Sequence, residues 1–538
     1  MNNAAQDTIE LSEPDPCWPE LFACEAEALR AALGQSCRYT IHHVGSTAVP
    51  GLAAKPIIDI ILEVPDRQSW PTLIAPLLQL GYVHWEDNPD TSTMFFVKGM
   101  PPFGSGRTHH IHVHTPNATQ PVLRFRDYLI AHPTEAARYE ALKRELARKY
   151  PQDREAFTTA KTTYIQHVLR KAESPTIPSL PDCPLTPYQA VVVEGLLEEI
   201  TTHHPGVTGF VLQGSAWNTA AQLPDADVDI NWAGQPEASR NDPLLGFRKV
   251  FTRDGVLIDL CTWFWCDMGQ PENAGLATAV SLARSHILWE RDETFTAPRR
   301  EVRGLLQQRE WVAGKLAADF AGYRHSLAQW ADPANRNPFG HGWDFARHIC
   351  NVWGLSVLSA LLLRPPSAGR KGLLEIVDCA QRLKVPWFGE MALQAMGADT
   401  ITPAEAQRWI EQLARLRLQA QDMVAAGVLP PDSDLGTLAS YESGMSAMAA
   451  RGSHRESAWP CWRAFHLLAY LLADTPAWPE ADAMTRQLRE RLGLHDDEAI
   501  TARLPAITDA VERLERASSE LLDCYFALLP EVSTAWDA

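Results

Sequence analysis

The chain contains no Cys-x-x-Cys pair. Its ten cysteines are scattered, and the nearest two are Cys261 and Cys266. Neither a zinc knuckle nor a disulfide framework is signalled, so reduced thiols are the default. No apolar run reaches the roughly 18 residues that a membrane helix needs. The opening stretch "MNNAAQDTIELSEPDPCW" has neither a basic nor an apolar leader segment, so a cytoplasmic, soluble protein is expected. Positive charge is also scarce. With 48 Lys and Arg against 66 Asp and Glu, the formal net charge is -18, which argues against a broad footprint on nucleic acid while leaving a local basic groove open. What the chain does have is core-forming material. Its 538 residues are 46% apolar and include 18 tryptophans, which suits several globular domains, about three or four at roughly 100–200 residues each.

Proline punctuation divides it. "ESPTIPSLPDCPLTP" blocks helix continuation and marks a linker over 175–187, separating a first domain, 1–174, from a second, 188–298. The remainder, 299–538, reads as helical, from apolar residues at three- and four-residue intervals in "EAQRWIEQLARLRLQAQDMV" and "ITDAVERLERASSELLDCYFALL". The turn-rich segment 427–436 could split it into two bundles. Within 190–265 a helix, "YQAVVVEGLLEEI", alternates with the β-rich runs "GVTGFVLQG", "DVDINWA" and "GVLIDLCTWFW", an α/β mixture.

Two stretches repeat one pattern: "YTIHHVGSTAVPGLAAKPIIDIILEV" and "GFVLQGSAWNTAAQLPDADVDINWAG". Each runs from apolar residues to Gly-Ser (Gly45-Ser46, Gly214-Ser215) and then to aspartate in a β-rich segment. In the second copy Asp225, Asp227 and Asp229 alternate. Two carboxylates about 4 Å apart repel by about 4 kcal/mol at an effective dielectric near 20, so a positive partner is required. On a strand Asp227 and Asp229 share a face, and Asp259 in "GVLIDLCTW" can join them from a neighbouring strand. Such carboxylates suit Mg²⁺, and two ions would activate an attacking hydroxyl and stabilise departing pyrophosphate. The Gly-Ser turns offer free N–H groups to phosphate. A calcium loop is excluded, because its sixth position is Ile230 instead of glycine and its twelfth is Pro236 instead of glutamate.

Gly-Ser, then Asp-x-Asp, then a third aspartate is the pattern of the nucleotidyltransferase superfamily, and residues 187–298 resemble its kanamycin- and aminoglycoside-nucleotidyltransferase-like branch. The resemblance implies Asp227 and Asp229 as metal ligands, Asp259 as third ligand or general base, and Gly214 and Ser215 at phosphate. "HHVGSTAVPGLAAKPIIDI", "RTHHIHVH" and "FRDYLIAHPTEAARYEALKRELARKY" resemble the GrpB-like nucleotidyltransferase family (UPF0157 type) over residues 10–172. There Gly45, Ser46 and Lys55 are the implied nucleotide contacts. A second site is implied at Asp59, His110, His112 and Arg107, with Lys143 and Lys161 near if the fold gathers them. This copy departs from Asp-x-Asp: Ile57 and Ile61 flank Asp59 on its face, and histidines stand where a third acid is expected. These histidines are either strand residues facing solvent or making structural hydrogen bonds, or metal ligands.

The expected fold is therefore α/β + α, with two nucleotidyltransferase-type α/β cores in tandem, packed as a pseudo-dimer, followed by an all-α region. The expected reaction is Mg²⁺-dependent transfer of a nucleoside monophosphate, AMP from ATP, to a small-molecule hydroxyl or carboxylate. Modification of a protein or tRNA, and a nucleotide-binding sensor or scaffold, are the alternatives.

Overall fold

In the computed structural model the described residues are 9, 11–35, 37–86, 92–99, 106–173, 180, 183–213, 228–234, 245, 248–262, 270–332, 354–366, 370–430, 433, 435–495, 497–534 and 536. The chain forms two compact units, Met1–Glu199 and Ile200–Ala538.

The first unit begins with helix α1 (Trp18–Leu33), then strands β1 (Thr40–Val44) and β2 (Ile58–Glu63), helix α2 (Trp70–Gln79), and strands β3 (Tyr82–His84), β4 (Met94–Lys98) and β5 (His109–His114). Helices α3 (Pro116–Ala131), α4 (Pro133–Lys149) and α5 (Arg154–Glu173) follow, then α6 (Pro187–His203). The strands form one sheet in the order β1-β2-β5-β4-β3. Only β2 and β5 are parallel; the other neighbours run antiparallel. Strand alternation then separates two faces. Ile58, Ile60, Leu62, Ile111 and Val113 pack in one core cluster with Trp18 and Leu29 of α1 and Leu73 and Leu77 of α2. The opposite face carries Asp59, His110, His112 and His114, and α3 packs against β1, β2 and β5. A second cluster joins Tyr139, Leu142 and Leu146 of α4 to Tyr164 and Val168 of α5 and to Val49 and Leu52 of the β1–β2 connection.

The first unit extends past the expected 175–187 linker to Glu199. The reason is that α6 is anchored there. Glu194, fully buried, accepts from Arg138 Nη2 at 2.9 Å and from the Leu180 N–H at 2.6 Å, and lies 2.6 Å from His167 Nε2. Burial alone would raise its carboxyl, but His167, Arg138 and Lys171 outweigh that and hold it down at about 2. Val191 of α6 joins the same apolar cluster as Leu142.

The second unit contains β6 (Val207–Gln213), β7 (Val228–Gly234), β8 (Arg248–Arg253), β9 (Val256–Thr262), helix α7 (Leu276–Arg284) and β10 (His286–Glu290), in the sheet order β10-β6-β7-β9-β8. Again a single pair, β7 and β9, is parallel. The series β1-β2-β5-β4 and β6-β7-β9-β8 thus share spatial order, chain order and strand directions. The rest is helical, from Thr296–Leu305 and Arg309–Ala331 to Leu504–Arg516 and Ser518–Thr534. One apolar cluster runs from Val211 and Ala233 of the sheet, through α7, to Trp536. It includes residues on both sides of 427–436, so sheet and helices form one unit instead of several small ones. The amphipathic stretch 507–529 is two helices broken at Ala517. Among the described residues no helix is long and apolar enough to cross a membrane.

Candidate functional site

The site of the first unit is built on the β1–β2 connection. After Val44 the backbone turns at Gly45, with φ 71° and ψ -171°, into a single 3₁₀ turn, Ser46–Ala48, instead of a full helix. Side chains other than glycine avoid that conformation. The turn passes so close to β2 that a Cβ at Gly45 would lie 2.4 Å from Asp59 Oδ2. Parallel pairing sets His110 directly opposite Asp59, and His110 Nδ1 lies 3.1 Å from Asp59 Oδ1. Two residues along the same face comes His112. One donor atom from each of Asp59, His110 and His112 lies within 4.8 Å of the others.

Three lysines converge on this acidic centre from different elements. Lys143 of α4 is 3% exposed, and its ammonium donates to Ser46 Oγ at 2.9 Å and to the Ala53 carbonyl. Lys161 of α5 and Lys55 lie 4.4 and 5.6 Å from the ring centroid of Phe157, which holds both ammonium groups beside an apolar surface. With Ser46, Thr47, Ile57, Asp59, His110 and Thr158, these groups line a cavity of about 150 Å³. Pockets for whole small ligands usually span about 300–1,000 Å³, so this one suits a phosphate group with the rest of its carrier outside.

The three lysines favour an anion, against the negative charge of Asp59. Burial pushes the Asp59 carboxyl up, but the His110 hydrogen bond and the charges of His110, His112 and Lys161 outweigh it, leaving Asp59 lowered and ionised. Burial, with Lys161 and Arg144 adding to it and Glu140 opposing, pulls Lys143 down to about 7. Burial lowers His43 to about 4, against the pull of Asp59 and with help from Arg126, so its ring is neutral. The Thr47 hydroxyl donates to the Ile57 carbonyl at 3.3 Å, so His43 Nε2, 3.1 Å from it, must be the donor in that pair. His43 therefore braces the turn.

Lys143 makes anion binding pH-dependent with a defined sign. Its ammonium form prevails below about pH 7 and is lost above it. Sulfate keeps its charge through this range, so its affinity for the full chain should fall as pH rises through 7, by at most about tenfold per unit. Calorimetric titration at pH 6 and 8 checks this, and Lys143→Met should flatten the dependence.

The structure thus gathers Gly45, Ser46, Lys55, Asp59, His110 and His112, together with Lys143 and Lys161. Arg107 is the exception. It lies on the segment entering β5, out of step with the His110–His112 alternation, and does not line the cavity. Thr47, Phe157 and Thr158 were not anticipated. A phenylalanine four residues before Lys161 was a usable signal, because that spacing shares a helix face.

In the second unit, β7 and β9 place Asp229 directly opposite Asp259, and Gln213 ends β6 opposite Asp229. Asp259 is buried, and the Cys261 thiol donates to its Oδ1 at 3.3 Å. Gly214, Ser215 and Asp227 lie outside the described residues. The rows match across the two sheets: Val44, Asp59, His110 and Val97 in the first, Gln213, Asp229, Asp259 and Val250 in the second. Asp59 therefore corresponds to Asp229, and His110 to Asp259.

Residues 8–171 match the family model described as GrpB protein. Over 171 residues the chain is 53% identical to a UPF0157 protein of Pseudomonas aeruginosa, covering 32% of this chain and 70% of that one. It is 30% identical over 191 residues to a dephospho-CoA kinase of Mycolicibacterium paratuberculosis, covering 31% of this chain and 47% of that one. The crystal structure of the conserved protein GrpB from Enterococcus faecalis aligns at 32% identity over 30% of this chain and 96% of that one, with a TM-score of 0.27. With the Gly-Ser turn, Asp59 and the histidine strand all inside the matched residues, the chain belongs to the GrpB family.

Proposed function

We propose that the second unit is a Mg²⁺-dependent nucleotidyltransferase and that the first unit binds a phosphate-bearing ligand. The observation that carries this reading is the parallel register that sets Asp229 against Asp259, in a row equivalent to the Asp59–His110 row of the first unit. Two carboxylates side by side give an oxygen donor set that fits magnesium, and the bound ions would lower the charge on a triphosphate and on its departing pyrophosphate. Asp229 and Asp259, with Asp227, would hold those ions. Gly214 and Ser215 would present N–H groups to the phosphates. An acceptor hydroxyl or carboxylate oxygen then bonds to the α-phosphorus as the bond to the β-phosphate oxygen breaks. When the acceptor is a hydroxyl its proton passes to Asp259, in which case Asp227 and Asp229 would hold the ions; a carboxylate acceptor carries no proton to move. ATP is the expected donor.

The first unit departs from this chemistry at two positions. His110 stands where Asp259 does, and Ile57, two residues before Asp59, stands where Asp227 precedes Asp229. This supports binding instead of turnover there, the sensor reading confined to one unit. The kinase-named relative is in keeping with a phosphate-bearing ligand.

Thermal shift with ATP and Mg²⁺, run beside pyrophosphate release with each nucleoside triphosphate and a set of small acceptors, separates the readings. Stabilisation together with pyrophosphate release supports transfer. Stabilisation without release under any combination would leave the sensor. Label moving to tRNA or to protein would make the acceptor a macromolecule.

A further inference from the structure

The donor set of the first unit does not fit the magnesium expected of its fold. Mg²⁺ takes oxygen ligands in near-octahedral geometry, whereas imidazole nitrogens suit zinc, iron, copper and nickel. Replacing the carboxylate of the Asp229–Asp259 row by His110, with His112 beside it, changes the ion the position can hold. We infer that the first unit binds one first-row transition-metal ion, of the zinc class, through Asp59, His110 and His112.

Three observations carry this. The three side chains bring one donor atom each to within 4.8 Å of the others, close enough for small side-chain rotations to bring all three onto one ion. Asp59 Oδ1 and His110 Nδ1 are 3.1 Å apart, close to the roughly 3.3 Å edge that metal bonds of about 2.0–2.1 Å give in a tetrahedron. His110 is 6% exposed, which keeps its ring out of bulk water. An ion on His110 Nδ1 takes the place of the proton that this nitrogen shares with Asp59 Oδ1. The Phe95 ring, 5.1 Å from His110 and 4.7 Å from His112 between centroids, supplies an apolar wall that holds both imidazoles. Asp59 and His110 also line the lysine cavity, so an ion here sits at the edge of the anion site.

This inference is independent of nucleotidyl transfer in the second unit. The test is equilibrium titration of the chelator-treated full chain with Zn²⁺, Mn²⁺ and Mg²⁺ alone, together with the visible absorption of bound Co²⁺. One Zn²⁺ site is expected in the first unit, told apart from ions on the Asp229–Asp259 pair by its persistence in Asp229→Asn, with affinity reduced at least about 100-fold in His110→Ala and His112→Ala. That exceeds the roughly 10–100-fold cost of losing an outer-shell partner. Asp229→Asn should leave the site and the Co²⁺ spectrum unchanged. If His110→Ala fails to fold, His112→Asn, at a partly exposed position, carries the same expectation. Zn²⁺ affinity within threefold of the parent in the histidine variants, or Mg²⁺ binding this site as tightly as Zn²⁺, would overturn the assignment.

Discussion

Asp229→Ala is expected to lower pyrophosphate release by at least about 10³-fold while leaving the protein folded. Such a loss corresponds to about 4 kcal/mol of transition-state stabilisation. The size follows from what the side chain faces. Asp229 stands directly across the parallel pair from buried Asp259, so its removal takes away half of the paired carboxylates. The fold should survive because Asp229 belongs to the polar face of β7, whereas Val228, Ile230 and Trp232 hold the strand in the core. Asp259→Asn keeps the shape and removes the charge, and should lose activity comparably. Circular dichroism and unfolding midpoints near those of the parent would show that the loss is chemical. A variant that retains more than about a tenth of the parent rate would contradict the role given to this pair.

Gly45→Ala is the second large effect, expressed as stability and binding in the first unit. Alanine would have to adopt φ 71° and ψ -171°, a region that is essentially glycine's alone, at a cost of about 1–3 kcal/mol. Its Cβ would also meet Asp59 Oδ2 at 2.4 Å, and overpacking of this kind costs about 1–3 kcal/mol more. Together these give about 2–6 kcal/mol, with Asp59 displaced from His110 and sulfate and metal binding lost. Gly51 is the internal control. It also has a positive φ, 75°, but a Cβ there meets nothing within 4 Å. Gly51→Ala should therefore show the backbone cost alone and keep binding. Equal loss of binding in the two variants, measured by denaturation and calorimetry, would mean that the close approach to Asp59 does not matter.

Much of this arrangement is legible in the sequence, and physics explains which part. β-rich runs bounded by turn residues give β6, β7 and β9, and the repeated Gly-Ser followed by aspartate points to two related sheets. What local pattern cannot supply is register. From spacing, Asp59 could correspond to either Asp227 or Asp229; only ladder pairing aligns it with Asp229 and puts His110 in the place of Asp259. The lysines are a long-range matter too. Lys143 meets Ser46 across 97 positions of sequence, so the sequence can name it only on the condition that the fold gathers it there. The 3₁₀ turn after Gly45, where a helix would suit a phosphate site, follows from Pro50 and Gly51, which end any helix before it begins. The boundary after Glu199 was hidden because its cause is a buried ionic cluster spread over α4, α5 and α6. Composition shows such charges but not their partners.

The most direct test of the central claim follows the α-phosphate. The full chain is incubated with Mg²⁺, an acceptor mixture and each nucleoside triphosphate labelled at that position, and acceptor-bound label is counted against pyrophosphate. Equal amounts of the two, both absent in Asp229→Ala, are what the paired carboxylates of β7 and β9 require. Label appearing only in nucleoside diphosphate, or turnover that persists undiminished in that variant, would contradict it.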